Sequence, residues 1–285
     1  MGSRTIDLAR EAVLAAARLR AEQGLSPSVG ICPFDLSQEL GVSARLVNYP
    51  SLEGMYSPSP RPAILVNAER PAGRRRYSCG HELGHHVFKH GFRLDELDDS
   101  NSSSSSPEEF LAQRFSAALL MPTLAVNSAF ARRGWSPATA QPEHFFVIAQ
   151  ELGVGYTTLL FHQELNLQQL TKSRATGLRD ISIPQIRSTV AGFSPQHDVF
   201  YVDDHWLRES VDVEVGDVLI VPQGSLLDGD CATLASSPKP HAIAVEPGTC
   251  FITLPSNKKI LLRVSRRNFI GLARHRFIAE VEDDV

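Results

Sequence analysis

The sequence has no Cys-x-x-C pair: its four cysteines, Cys32, Cys79, Cys231 and Cys250, are scattered along 285 residues. That spacing excludes a zinc knuckle and argues against a disulfide framework, so four reduced thiols and no disulfide are expected. Long apolar runs are missing too. The first 24 residues, MGSRTIDLAREAVLAAARLRAEQG, are charged throughout and lack the apolar centre of a signal peptide. No later stretch reaches membrane-spanning length, and the expectation is a cytoplasmic protein without a membrane partner. A third absence is local. Between Pro247 and Ala279 there is no acidic residue, although the net charge of the chain is -4. Lys258, Lys259, Arg263, Arg266, Arg267, Arg274 and Arg276 accumulate there with Phe251, Phe269 and Phe277 among them, before the acidic end EVEDDV. Positive charge for phosphates and aromatic faces for bases is the composition of a single-strand nucleic-acid surface; the same residues also suit a β-strand core with a solvated basic face.

What is present is a content of 42% hydrophobic residues, enough for a sizeable core. Apolar positions at Ile6, Leu8, Ala9, Val13, Leu14, Ala17 and Leu19 predict an amphipathic helix ended by Gly24. PFDLSQELGVSARLV predicts a short helix closed at Gly41 and running into a strand. Extended pieces around Gly54–Tyr56 and Pro62–Asn67 complete a small sheet ahead of the next helix. The acidic, serine-rich run LDELDDSNSSSSSPEE reads as a surface loop, with 99–106 a candidate substrate-selecting segment, and a helix starts at Pro107. FFVIAQELGV and YTTLLFHQELNLQQL predict two further helices with helix-turn-helix-like spacing over 143–170. From about Ile181 short apolar runs with turn signals predict a β-rich region. The expected architecture is α+β: one domain over 1–175, including the helices 143–170, and a β-rich regulatory or sensor domain over 180–285.

Residues 81–85 read His-Glu-Leu-Gly-His. On a helix, histidines at i and i+4 share a face and can share one metal, while Glu82, about 100° around, lies beside the metal and outside its ligand set. Zinc with three protein ligands and one open position lowers the pKa of bound water to roughly 7, within reach of a carboxylate base. The third ligand comes from Glu96, Glu108 or Glu109, or from His86 or His90. His86 lies 100° from His85 and His90 a turn beyond, which suits surface or supporting positions. Glu109 falls on the buried stripe 109, 112, 116, 119 of the following helix and Glu108 points away from it. Two weaker candidates are Cys32, in a loop before the second helix, as an inhibitory thiolate ligand, and Tyr56 as an oxyanion stabiliser.

ILVN at 64–67, RRRYSCGHELGHHVFKH at 74–90 and the run from Glu109 to Met121-Pro122 together resemble the ImmA/IrrE-type metallopeptidases. These are intracellular bacterial and phage zinc proteases that cut helix-turn-helix transcriptional repressors. The resemblance covers about residues 5–170 and implies a zincin-like fold, zinc as cofactor and Glu109 as third ligand. Cys79-Gly80 stands where Leu-Ala is commoner, a change expected to alter packing and not ligation. Residues 180–285 do not resemble the GAF-type sensor of the radiation-response members. The two-part layout looks more like the peptidase of a CapP-like peptidase–repressor pair controlling anti-phage CBASS operons, which implies single-stranded DNA as the trigger. The competing reading is a DNA-binding regulator with a structural or vestigial zinc site, but its second helix offers Tyr156, Thr157, Thr158 and His162 and no Arg or Lys.

Overall fold

The computed structural model describes residues 3–96 and 106–278. By contacts the chain divides into two units. The first comprises 1–128, 152–155 and 270–274, and the second 129–151, 156–269 and 275–285. The fold is α+β, with helices and small mixed sheets. The division by contacts places 129–151 and 156–179 with the β-rich half and so does not coincide with the expected boundary at 175–180.

In the first unit, helix α1 (Ser3–Glu22) ends before Gly24, whose φ of +65° is open to glycine. Helix α2 (Pro33–Glu39) and strand β1 (Ser43–Val47) flank Gly41, at φ +71°. Strands β2 (Leu52–Ser57) and β3 (Ala63–Asn67) follow, then helix α3 (Ala72–Val87), strand β4 (Arg93–Glu96), helix α4 (Pro107–Leu120) and helix α5 (Thr123–Arg132). A late strand, here β13 (Gly271–Leu272), returns to this unit. The sheet order is β13-β1-β3-β2-β4; β1 and β3 are parallel, and β4 pairs antiparallel to β2 at the edge. Alternation in β2 turns Leu52, Gly54 and Tyr56 inward. The fully buried Asn67 fastens the loops around this sheet, donating from Nδ2 to the carbonyls of Tyr49 and Leu52 and accepting from the Glu69 N–H. Arg20, nearly completely buried on α1, donates to the Leu119 carbonyl at 2.6 Å and so ties α1 to the end of α4.

Helices α3 and α4 approach closely because small residues face each other. A Cβ at Gly80 would lie 2.7 Å from Ser116 Oγ, and one at Gly84 would lie 2.9 Å from Ala112 Cα. Ser116 Oγ also donates to the Tyr77 carbonyl at 2.9 Å. Gly80 therefore serves packing, as expected for the Cys79-Gly80 departure, and Cys79 is fully buried.

The second unit begins with helices α6 (Pro142–Leu152), α7 (Tyr156–Phe161), α8 (Lys172–Arg179) and α9 (Ile183–Ala191). Helix α9 lies inside the stretch expected to be all β. Its Ser182 cap, which accepts from the Gln185 N–H, and its left-handed Gly192 terminus outweigh a short apolar pattern. Strands β5 (Val199–Tyr201), β6 (Ser210–Glu214), β7 (Val218–Ile220), β8 (Leu226–Asp228), β9 (Ala232–Ala235), β10 (His241–Ala244), β11 (Gly248–Thr253) and β12 (Lys259–Ser265) form two four-stranded sheets, β5-β7-β10-β9 and β6-β12-β11-β8. Both sheets contribute to one core around Phe200, Trp206, Leu219, Ile252 and Leu262. An ion network binds the helices to these strands. Glu151, nearly completely buried, receives Arg132 and Arg133, and Arg133 also holds Asp203 at 2.8 Å.

The expectation of no disulfide is overturned. Cys231 and Cys250, 19 residues apart, are bonded and link the β9 end of one sheet to β11 of the other. Sequence spacing carries no sign of this pair, because the shared core of the two sheets and not a short loop brings the two sulfurs together. Cys32 and Cys79 are buried and carry no disulfide. Among the described residues no helix is long and apolar enough to cross a membrane.

Candidate metal centre

Helix α3 carries His81 and His85 one turn apart, and helix α4 brings Glu109 over them. Placement of Glu109 begins at the helix start, where Ser106 caps α4 by accepting from the Glu109 N–H. His81 Nε2 lies 3.1 Å from His85 Nε2 and 3.1 Å from Glu109 Oε2, while His85 Nε2 lies 3.4 Å from Glu109 Oε1. Ligands at tetrahedral zinc, bound at about 2.0–2.1 Å, stand about 3.3 Å from one another. Zinc therefore fits the donor set.

Glu82 is buried, and among the described residues neither of its carboxylate oxygens has a hydrogen-bond partner. Such a group is costly unless something else uses it. Gly54 of β2 faces it: a Cβ there would sit 2.3 Å from Glu82 Oε1, so only glycine lets the sheet pass this close. Burial pushes the Glu82 carboxyl up to about 8; His81 pulls it down, while Asp95 and Glu109 push it further up.

Asp95 is the functional candidate that sequence reasoning missed. Its Oδ2 lies 3.2 Å from His81 Nε2, and His81, Glu82 and Asp95 form a second group with metal-compatible spacing that shares His81 with the first. The run that carries it was expected to be loop, whereas Arg93–Glu96 form β4 and pair with β2, Asp95 opposite Gly54. Arg93 and Asp95 alternate onto one face, which also puts Arg93 Nε 3.9 Å from Glu109 Oε1. The one available signal was this period of two. Glu108 joins neither group. The candidate selecting segment 99–106 falls outside the described residues except for the cap Ser106.

His86 and His90 belong to neither metal-compatible group. The buried Tyr56 hydroxyl is hydrogen-bonded to His86 Nδ1 at 3.0 Å. His85 Nδ1 meets His90 Nδ1 at 2.8 Å. Cys32, which sits at the start of α2, belongs to neither metal-compatible group. Much of the basic C-terminal stretch is used inside the fold. Arg263 pairs with Asp212 at 2.6 Å, Arg267 with Asp217 at 2.8 Å, and Arg276 approaches Asp212 at 3.6 Å. Lys258 donates to the Asp204 and Trp206 carbonyls. Arg263 and Arg276 also stack on Phe277, and Phe269 is buried. Lys259, Arg266 and Arg274 are exposed. Arg70 and Arg74 both pair with Glu53 and hold sheet to helix.

Residues 29–162 match the family described as Peptidase_M78, IrrE N-terminal-like domain. This segment is an ImmA/IrrE-type peptidase domain. The match contains the ILVN, HELGH and Glu109 motifs together, and the ImmA/IrrE families are generally zinc metallopeptidases. No curated protein matches the chain. A solved structure, a Mycobacterium tuberculosis transcriptional regulator, is similar at 17% identity with a TM-score of 0.38, over 58% of this chain and 49% of its own. The chain thus spans about half the length of that structure.

The protonation of His81 and Glu109 bears on how these groups would take up a metal ion. Burial alone would lower His81, but hydrogen bonds to Asp95 and Glu109 and the charge of Glu82 raise it to about 10. Glu109, which burial would raise, is held far below the usual carboxylate range by hydrogen bonds from His81 and His85. This raised pKa favours a protonated His81 at neutral pH, a proton that zinc binding there would have to displace. Apparent zinc affinity is expected to rise about tenfold per pH unit between pH 6.5 and 8.5, since every point lies below the raised pKa. Calorimetric titration in two buffers of different ionisation enthalpy measures the released proton. An affinity flat across that window contradicts this protonation.

Proposed function

We propose that the chain is a zinc-dependent endopeptidase that cuts a helix-turn-helix transcriptional repressor, thereby relieving repression of a stress or anti-phage defence operon. The observation that carries the reading is the buried, unpartnered Glu82 carboxylate beside the converging nitrogens and oxygens of His81, His85 and Glu109. In this reading those three residues hold zinc. When bound, the ion supplies Lewis acidity, which acidifies water and polarises a peptide carbonyl. Glu82 takes the proton of the attacking water on a carboxylate oxygen and returns it to the leaving amide nitrogen. Gly54 and the inward face of β2 exclude bulk water from the Glu82 side.

The substrate class rests on the resemblance of the three motifs to peptidases that cut repressors. Single-stranded DNA as activator rests on the acid-free stretch, whose Lys259, Arg266, Arg267 and Arg274 are exposed, Arg267 while paired with Asp217. The alternative, a DNA-binding regulator with a structural or vestigial zinc site, requires α7 to read bases. That helix has six residues; Tyr156 is buried and donates to the Leu178 carbonyl, and His162 just beyond it is buried.

The test is incubation of zinc-loaded protein with a helix-turn-helix repressor encoded beside it, with and without single-stranded DNA, followed by mass spectrometry of the fragments. One discrete cut, abolished by a chelator and restored by zinc, is the expected result. An intact repressor under every condition, together with operator binding by this chain, would favour the regulator instead.

A further inference from the structure

A histidine that binds metal through Nε2 has its other ring nitrogen, Nδ1, pointing away, and in the metal-bound form that nitrogen carries a proton in need of an acceptor. His85 is fully buried, so water cannot serve freely. Its Nε2 faces His81 and Glu109, and its Nδ1 lies 2.8 Å from Nδ1 of His90. Carboxylates, backbone carbonyls and waters are the usual acceptors in this position. Here it is a second imidazole.

Five residues along an uninterrupted helix would put His90 about 140° around from His85, on another face. The chain avoids this by ending α3. Phe88 closes the helix with its N–H on the Gly84 carbonyl, and Lys89 turns left-handed at φ +55°. The His90 N–H then returns to the His85 carbonyl at 2.9 Å. The imidazole is gripped in its plane by Phe88, stacked at 5.7 Å and 19°, and by the His85 ring edge-on at 5.0 Å. Backbone turn and ring stacking thus both direct Nδ1 of His90 at the buried ligand.

We propose that His90 is a positioning residue for the metal centre: its Nδ1 accepts the Nδ1–H of His85 and thereby fixes the His85 tautomer whose Nε2 lone pair faces the metal. The proposal rests on the zinc-site reading above. The accepting nitrogen must be unprotonated, so the proton of His90 resides on Nε2. The bond also fixes the rotation of the His85 ring about its Cβ–Cγ axis, which sets the direction of the Nε2 lone pair.

The experiment compares wild type, His90→Leu, His90→Asn, His81→Ala and His85→Ala. Asparagine places Oδ1 roughly where histidine has Nδ1, so it keeps an acceptor; leucine keeps only volume. Zinc affinity is read by competition with a chromophoric chelator, site geometry by the visible absorption of the cobalt-substituted protein, and folding by thermal melting of metal-free protein. His90→Leu is expected to weaken zinc about 10- to 100-fold and to change the cobalt bands. His90→Asn restores most of the affinity and the spectrum. Wild-type affinity and spectrum in His90→Leu overturn the proposal. So does equal weakening in both variants with equally lowered metal-free melting, which marks His90 as packing alone. Failure of the underlying reading looks different: wild type binds no zinc, or His81→Ala and His85→Ala bind it as tightly as wild type.

Discussion

Glu82→Gln is expected to keep its zinc and lose at least about a hundredfold in kcat/KM for peptide hydrolysis. A positioned general base contributes about 10²- to 10⁴-fold. Glutamine matches glutamate in size and cannot take a proton from water. Glu82 stands outside the three ligands, so zinc affinity should change only a few-fold. Folding should change little, because among the described residues neither carboxylate oxygen makes a hydrogen bond that the substitution would remove. The measurement pairs zinc content by atomic absorption with hydrolysis of a fluorogenic peptide spanning the mapped cut. Hydrolysis within tenfold of wild type in the zinc-loaded variant would remove Glu82 from the role of base. The variant also separates metal-dependent chemistry from metal-dependent folding, since zinc removal perturbs both and this substitution only the first.

The part of the fold that holds the centre was legible because each element carries its own local signal. Helix α1 has its apolar stripe and Gly24, α2 has Gly41 after it, and α4 has Ser106, Pro107 and a buried face that includes the side of Glu109. The i, i+4 spacing in α3 fixes two ligands by helix geometry alone. What stayed hidden depends on partners distant in sequence. Strand β4 consists of four residues in an acidic stretch, and it exists because the β2 edge is there to pair with; Asp95 came with it. The Cys231–Cys250 bond depends on two sheets sharing a core. The basic stretch looked unbalanced because its counter-charges, Asp212 and Asp217, lie some 50 residues upstream. His90 was weighed by helical angle, and the left-handed Lys89 is what changes that angle.

Gly84→Ala is expected to damage the metal centre from outside it. An added Cβ would lie 2.9 Å from Ala112 Cα and 3.2 Å from both Ala112 Cβ and its carbonyl oxygen. These are mostly backbone atoms of the facing helix, which cannot swing aside, so α3 and α4 must separate by a few tenths of an ångström. Overpacking of this kind costs about 1–3 kcal/mol, and alanine returns about 1 kcal/mol of helix propensity, which leaves a modest net loss of metal-free stability. The larger effect falls on zinc. Gly84 sits between His81 and His85 on α3, and Ala112 lies one turn after Glu109 on α4. Separating the helices at this contact therefore lengthens the 3.1 and 3.4 Å spacings between the histidines and Glu109. Metal bonds tolerate little of that, and zinc affinity should fall at least about tenfold. Gly91→Ala is the control, because a Cβ there meets nothing within 4 Å and should leave both melting and zinc binding near wild type. Melting with and without zinc, followed by chelator competition, distinguishes the outcomes. If Gly84→Ala and Gly91→Ala behave alike, the close approach of α3 and α4 does not set the ligand geometry. If only Gly84→Ala loses zinc, the small residues between the helices are as necessary to the centre as the three side chains that face the metal.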